Sequence, residues 1–319
     1  MAERCHALYG EAGSHEGIVL ALALAAKGLR FEGVPASPAL AFALAARAGR
    51  ESAAYLRTPD GCIFGDARGA LDHLDRVLPG RAWRPTTPVR RVCARLLEDW
   101  IELWLPLWPE CAEAMLERFA AHVARSGFLL GPTPSRPDGA LAAWLETEVL
   151  CDPALHRHAV EHAPGLIGFA EAVRRAAAVA PGDAVPAVAA SGSRAPTVGV
   201  APVARAAGGV AAIDDAIPIG LLPILETLAA DFLAYLDANR EAIWDGRAEL
   251  VLELDAGSTT MPAWRRFERR RAEIAGELAR LGPDARRAVR QMLEPLGAWY
   301  VLTLPEVVEA PALGDPRGL

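Results

Sequence analysis

The chain has 319 residues, of which 52% are hydrophobic and 23% are charged. This composition supports a buried core, and the length suggests about two domains. It excludes a disordered chain, a collagen-like repeat and a small disulfide scaffold. The formal net charge of −7 also excludes nucleic-acid binding by bulk charge, because a polyanion would be repelled overall.

The cysteines are odd in number and widely spaced, with no CxxC pair. This pattern favours reduced thiols and a cytoplasmic location. The longest early apolar run, residues 18–26, is shorter than the roughly 20 residues that a bilayer span needs. Acidic residues precede the run where a signal peptide would carry positive charge, so we expect no membrane segment. The cysteines are Cys5, Cys62, Cys93, Cys111 and Cys151.

The first eighty residues alternate between strand-like and helix-like segments. Apolar runs predict strands at residues 5–9, 30–34, 53–57 and 62–64, with the turn Thr58-Pro59-Asp60-Gly61 joining the last two. Periodicity predicts helices at residues 16–27, 38–47 and 66–77. This alternation predicts a small α/β domain.

The pattern becomes helical after a proline-containing boundary at residues 78–88. Ser135 followed by Asp138 predicts a capped helix start, because the acidic residue falls at the third helical position. The segment 180–220 is rich in alanine, glycine, proline and serine and predicts a linker or long loop. The other predicted elements are helices at 89–105, 110–126, 139–150, 154–162, 167–178, 221–244, 263–281 and 284–302, and a strand at 250–254.

Several motifs resemble the glutathione S-transferase family. Leu8-Tyr9-Gly10 is followed by Ser14 and then by an alanine- and leucine-rich helix that ends at Lys27-Gly28, which is similar to the family's opening. Phe128-Leu129-Leu130-Gly131 before the Ser135 and Asp138 pair resembles the capping box of the family's second domain. The resemblance covers residues 1–178, and the remainder resembles more weakly a helical extension of some bacterial members.

The resemblance implies an α/β thioredoxin-like N-terminal domain followed by an all-α glutathione-transferase C-terminal domain, mostly helical overall. The first domain would cover residues 1–79 and the second 88–179, with a linker or long loop at 180–220 and a helical C-terminal extension at 221–319. The implied function is conjugation of glutathione to a small hydrophobic electrophile by a homodimer, with neither nucleic acid nor a membrane as partner. The competing hypothesis is a non-catalytic protein that keeps the fold for binding or assembly.

The resemblance also implies a glutathione site. Ser14, at the first turn of the first helix, would donate a hydrogen bond to the thiolate, which is the reactive form of the thiol. The backbone around Ala54 would hold the cysteinyl part, and Asp66 with Ala67 would hold the γ-glutamyl group. Ser14 and Asp66 are also good N-caps, so a purely structural role stays open for both.

Three positions depart from the family pattern. Ala54 stands where the family has a cis proline, and we expect a trans bond before it because a non-proline cis bond costs about 2.5–4 kcal/mol. Asp66-Ala67 replaces a Glu-Ser pair, so one hydroxyl is lost. Glu16 beside Ser14 would repel a bound thiolate. Together the changes predict weakened or lost glutathione binding.

Four further features each have a structural and a functional interpretation. Tyr9 at a strand end is interpreted as packing and not as a substitute hydroxyl. The tryptophans have three alternative interpretations: they line a substrate pocket, they belong to a helix core, or they form a dimer face. We expect no metal at the histidines and a solvated or ion-paired helix face at the arginines. The residues are Trp100, Trp104 and Trp108; His156, His158 and His162; and Arg265, Arg266, Arg269, Arg270 and Arg271.

Overall fold

The computed structural model describes residues 5–81, 83–178, 215–254 and 257–307. The predicted linker at 180–220 lies outside these ranges except for its last six residues, 215–220. The five cysteines all fall in the described ranges, and none of them forms a disulfide there.

Residues 6–77 form a four-stranded sheet with three helices. The strand order is β2-β1-β3-β4; β1 runs parallel to β2 and antiparallel to β3, which pairs antiparallel with β4. This is the thioredoxin-like arrangement, and it confirms the predicted alternation and the hairpin. The elements are β1 His6–Gly10, α1 His15–Ala26, β2 Phe31–Val34, α2 Pro38–Ala48, β3 Ala54–Arg57, β4 Ile63–Phe64 and α3 Ala67–Val77.

Five α-helices follow between residues 88 and 178. Two of them continue into π-helical turns, at Trp100–Trp104 and at Leu145–Val149. The predicted helices are confirmed, although proline-containing turns at Leu105–Leu107 and Pro109–Cys111 separate the first two. The helices are α4 Pro88–Asp99, α5 Ala112–Ser126, α6 Arg136–Trp144, α7 Pro153–His162 and α8 Phe169–Ala178.

The predicted capping box at the start of α6 is present. The carboxylate of Asp138 accepts hydrogen bonds from the Ser135 amide and hydroxyl, both at 2.8 Å, and from the Leu129 amide at 2.7 Å. Burial nevertheless raises the pKa of Asp138 to about 6. One carboxylate therefore satisfies the helix start and also fixes the preceding loop to it.

Residues 215–307 form five more helices and a two-stranded hairpin. The predicted strand at 250–254 is confirmed as part of β5, whereas its antiparallel partner β6 lies in a polar stretch that periodicity did not predict. The helices α9 and α10 are continuous through a π-helical turn at Ala229–Leu233. The elements are α9 Leu222–Leu228, α10 Ala234–Trp244, β5 Glu249–Leu254, β6 Gly257–Pro262, α11 Arg265–Ala279, α12 Pro283–Leu293 and α13 Ala298–Thr303.

These later helices share the core of the preceding ones. Trp104 is fully buried, and its ring lies 5.9 Å from that of Phe232 and 4.8 Å from that of Tyr235. Trp108 stacks on Trp104 at 5.8 Å. Of the interpretations left open for the tryptophans, the helix core is therefore correct for Trp100 and Trp104, both of which are fully buried.

A second link between these parts is the cap of α4. Thr87, at the N-cap position, makes no side-chain cap. The carboxylate of Asp215 replaces it by accepting hydrogen bonds from the amides of Val89 at 3.0 Å and Arg90 at 3.1 Å. Asp215, from the segment after residue 214, thus caps α4, which belongs to the segment before it.

One helix in the described ranges, Ile219–Trp244, is long and apolar enough to cross a bilayer by length and composition alone. Half of its most apolar window is buried inside the fold, and Phe232 and Tyr235 on it pack against Trp104. A core helix passes the same composition test, and we interpret this helix as one.

Substitution of Asp138 by Asn should destabilise the protein by about 1–3 kcal/mol, because an amide cannot accept the three hydrogen bonds that the buried carboxylate accepts. Urea unfolding followed by circular dichroism measures the change. Asp284→Asn is the matched control, since Asp284 lies in the first turn of α12 with its side chain 95% exposed. Equal stabilities of the two variants would contradict the structural role of the box.

Candidate functional site

A cleft with a volume of about 1430 Å³ lies where the N-terminal turns of α1 and α3 meet α4 and α11. His15 and Glu16 contribute from α1, whereas Arg68 and Gly69 contribute from α3. A helix N-terminus presents unpaired amides and a partial positive charge. Two helices of 12 and 11 residues thus begin at one cleft, which is a suitable place for a ligand with negative groups.

Charged side chains dominate the wall of this cleft. Of the thirty described residues that line it, ten are arginines and ten are aspartates or glutamates. The signs are interleaved, so the wall is polar without a strong field of either sign. The arginines are Arg50, Arg68, Arg76, Arg84, Arg91, Arg95, Arg266, Arg269, Arg270 and Arg280, and the acids are Glu16, Glu51, Asp66, Asp72, Asp75, Glu102, Glu148, Glu273, Glu277 and Glu306.

Ser14 is the N-cap of α1. Its hydroxyl oxygen accepts a hydrogen bond from the Gly17 amide at 3.1 Å, and its hydroxyl proton is donated to the Glu11 carbonyl at 2.7 Å. Ser14 is not among the described residues that line the cleft. The structural role that we left open for this serine is therefore present, and its proton is already in use.

The backbone around Ala54 is also in use. The bond before Ala54 is trans, as expected, because the described residues contain no cis peptide. The Ser52 hydroxyl donates to the Ala54 carbonyl at 2.8 Å and accepts from the Ala54 amide at 3.3 Å. The neighbouring Ala53 carbonyl accepts from the Glu11 amide at 3.0 Å.

Gly10 makes this close contact between β1 and β3 possible. Its φ is +106°, and a Cβ there would lie 2.2 Å from the Ala53 carbonyl oxygen. A side chain at this position would push the two strands apart. β1 and β3 are therefore closely packed at the position where the resemblance puts the cysteinyl part of glutathione.

Asp66 is the one predicted site residue that lines the cleft. It is half-buried, and its carboxylate caps α3 by accepting a hydrogen bond from the Gly69 amide at 2.5 Å. Ala67 is buried in the core. The four predicted residues are therefore not brought together: the cleft contains Asp66, whereas Ser14, Ala54 and Ala67 do not line it.

His15, Glu102 and Arg270 form a second group in the cleft, which sequence reasoning missed. The Nε2 atom of His15 is buried and has no hydrogen-bond partner in the described part of the chain. Arg270 Nη2 lies 3.6 Å from Glu102 Oε1. Burial raises the pKa of Glu102, and the charges of Arg270 and His15 partly offset the effect. The position of His15 beside Ser14 could have identified it as a candidate. No sequence spacing connects it to Glu102 or Arg270, because these residues are far away in the chain.

An ion-pair network closes the floor of the cleft. Arg136 Nη1 lies 2.7 Å from Asp72 Oδ1, and Arg95 Nη2 lies 2.6 Å from Asp72 Oδ2. Burial alone would raise the pKa of Asp72, but these two arginines lower it to about 2. Arg91 pairs with Glu277, so the network reaches α11.

The remaining sequence candidates have structural roles. Arg57 stacks over the Tyr9 ring at 5.4 Å, which fits the packing interpretation. No group of three His, Cys, Asp or Glu side chains in the described ranges is arranged to hold a metal ion. In the basic run, Arg271 is fully buried and pairs with Glu268 at 2.7 Å, so this part of the helix face is ion-paired and not solvated.

The strand order β2-β1-β3-β4 and the helices that follow it define a thioredoxin-like domain followed by a helical domain. No protein-family model and no curated protein matches the sequence.

Solved structures similar to the chain are glutathione transferases and a related etherase. A glutathione S-transferase from Rhodospirillum rubrum F11 is 16% identical, over 51% of this chain and 91% of that chain, with a TM-score of 0.39. The β-etherase LigF from Sphingobium sp. strain SYK-6 is 16% identical, over 55% and 97%, with a TM-score of 0.44. Rice OsGSTU1 in complex with glutathione is 20% identical, over 54% and 89%, with a TM-score of 0.44. With TM-scores below 0.5, the fold class rests on the topology of this chain itself.

Asp72 should give the protein a specific acid sensitivity. Because its folded pKa lies below its ordinary value of 3.8, its ion pairs stabilise the fold fully above about pH 4 and lose their effect as the pH falls through about 2. Asp72→Asn should therefore flatten the dependence of unfolding free energy on pH between about pH 5 and pH 2. Urea titrations across that range measure it, with the exposed Asp245→Asn as control; parallel curves for wild type and Asp72→Asn would contradict the assignment.

Proposed function

We propose that the chain binds glutathione in the charged cleft and transfers its thiolate to a polar electrophile. The observation that carries the proposal is the convergence of two helix N-termini with the cleft-lining carboxylate of Asp66. The α1 terminus suits a thiolate, since its dipole favours negative charge. Asp66 suits the ammonium of the γ-glutamyl group, and the α3 amides suit the carboxylate beside it.

The fit to glutathione is incomplete. Asp66 supports it, because only one of its oxygens is needed for the Gly69 cap. The backbone around Ala54 does not support glutathione binding, because its hydrogen-bonding groups already have partners. The Ser52 hydroxyl binds the Ala54 carbonyl and amide, and the Glu11 amide binds the Ala53 carbonyl. We therefore expect glutathione to be held at its γ-glutamyl end and to bind weakly, in line with the three departures in the sequence.

The charged wall favours a polar electrophile over the small hydrophobic one implied by the resemblance. Leu103 and Leu281 are the large aliphatic side chains among the described lining residues. An apolar substrate would have to displace water from arginines and carboxylates without replacing their hydrogen bonds, which costs free energy. A substrate with carboxylate, phosphate or amide groups would not pay this penalty.

The second candidate is a non-catalytic glutathione-transferase-fold protein that uses the cleft for binding. The commitment of Ser14 to the Glu11 carbonyl favours it. Both candidates bind a ligand in the same cleft, and they differ in whether the thiol reacts. A conjugation assay in excess glutathione, with a polar and an apolar electrophile of equal intrinsic reactivity, separates them.

Calorimetric titration with reduced glutathione tests the binding step. Wild-type protein should bind in the millimolar range, and Asp66→Asn should lose most of the affinity, because asparagine keeps the helix cap but lacks the charge. Asp245→Asn, at an exposed aspartate paired with Arg247, should bind like wild type. Absence of heat and of thermal stabilisation at several millimolar glutathione would refute the proposal.

A further inference from the structure

We infer that His15, and not Ser14, accepts the proton of the thiol bound in the cleft. The inference rests on the proposed function, because it assigns a residue to the thiol chemistry of the same site. His15 is the first residue of α1, directly after Ser14, and it lines the cleft where Ser14 does not. It is thus the first side chain with acid–base chemistry at the helix N-terminus that favours a thiolate.

The imidazole of His15 is available for this role. Its Nε2 atom is buried and makes no hydrogen bond within the described ranges. A buried polar atom without a partner is uncommon and costs free energy unless a ligand or water pairs with it. Ser14 is not available in the same way, because its proton is held by the Glu11 carbonyl and its oxygen by the Gly17 amide.

Two carboxylates line the same cleft as His15. Glu102 on the π-helical turn after α4 interacts electrostatically with His15, and its carboxylate would stabilise the positive ring. Glu16 on α1 adds a second negative charge at the cleft. The positive charge of Arg270 on α11 disfavours a positive His15 ring. Arg270 lies 3.6 Å from Glu102 and 3.8 Å from Asp99, and these carboxylates reduce the effect of its charge. The α1 N-terminus disfavours the imidazolium but favours the thiolate that forms with it.

The proton and the electrons balance without any further reactant. The S–H bond breaks, its proton moves to an imidazole nitrogen, and its electron pair stays on sulfur. The thiolate then forms a bond to the electrophilic carbon. In a displacement, the leaving group departs with the electron pair of the broken bond, and the imidazolium gives its proton to that group or to water. In an addition to an activated alkene, the imidazolium returns the proton to the product carbanion. This is general base catalysis by a positioned histidine.

His15→Gln tests the inference. It should lower kcat/KM for conjugation by about 100-fold or more, as loss of a general base does, while glutathione still binds because Asp66 is intact. The dependence of kcat/KM on pH near neutrality should also flatten. Ser14→Ala should lower the melting temperature, because it removes a helix cap, and should keep the wild-type pH profile.

A measurement on wild-type protein guards against a variant that fails to fold. Glutathione binding is followed at about pH 8, where a free histidine is neutral, by thiolate ultraviolet absorbance and by calorimetry in two buffers of different ionisation enthalpy. Thiolate formation without proton release to the buffer is expected, because the proton stays on His15. Thiolate formation with release of one proton would overturn the inference and leave the proposed function intact. Failure to bind glutathione would overturn both.

Discussion

The pairing of buried arginines with carboxylates is the constraint on which the rest of this structure depends. Arg68 and Arg136 are almost fully buried, and a buried guanidinium is tolerated only with partners because its desolvation is costly. Arg68 pairs with Asp99 across the junction between α3 and α4. Arg136 pairs from α6 with Asp72 and Asp75 of α3. The first domain is thereby held against the helices that follow it.

The same constraint extends to the later helices and creates the cleft. Glu273 and Glu277 on α11 face Arg68 and Arg91, so α11 forms one wall of the cleft. The result is a cavity lined mostly by charged side chains. The cleft combines two helix N-termini, the capping carboxylate of Asp66 and the imidazole of His15, whose Nε2 atom has no hydrogen-bond partner among the described residues. The segment that the sequence marked as an extension is therefore part of the site.

Local patterns in the sequence were enough for most of the elements and for their order, with β6 as an exception. The Thr58-to-Gly61 turn, the caps at Ser14 and Asp66 and the box at Ser135 and Asp138 each depend on residues within a few positions of one another, and each is present. Contacts between distant segments could not be predicted this way. The cap of α4 by Asp215 and the Arg270–Glu102 pair join residues that no spacing rule connects. At the predicted site, the Ser14 hydroxyl donates to the Glu11 carbonyl and the Ala54 carbonyl accepts from the Ser52 hydroxyl. These contacts are local, and the glutathione site itself stays a prediction.

Hydrogen exchange by mass spectrometry on the full chain tests most directly whether the ion-pair network makes α11 part of one folding unit with α4 and α6. The account predicts that amides of α11 and α4 exchange with the same opening free energy. It also predicts that Glu277→Gln accelerates exchange in both helices together, whereas Asp284→Asn on α12 leaves them unchanged. Exchange of α11 at a much lower opening free energy than α4, unaffected by Glu277→Gln, would contradict the account. It would show that α11 unfolds separately from α4.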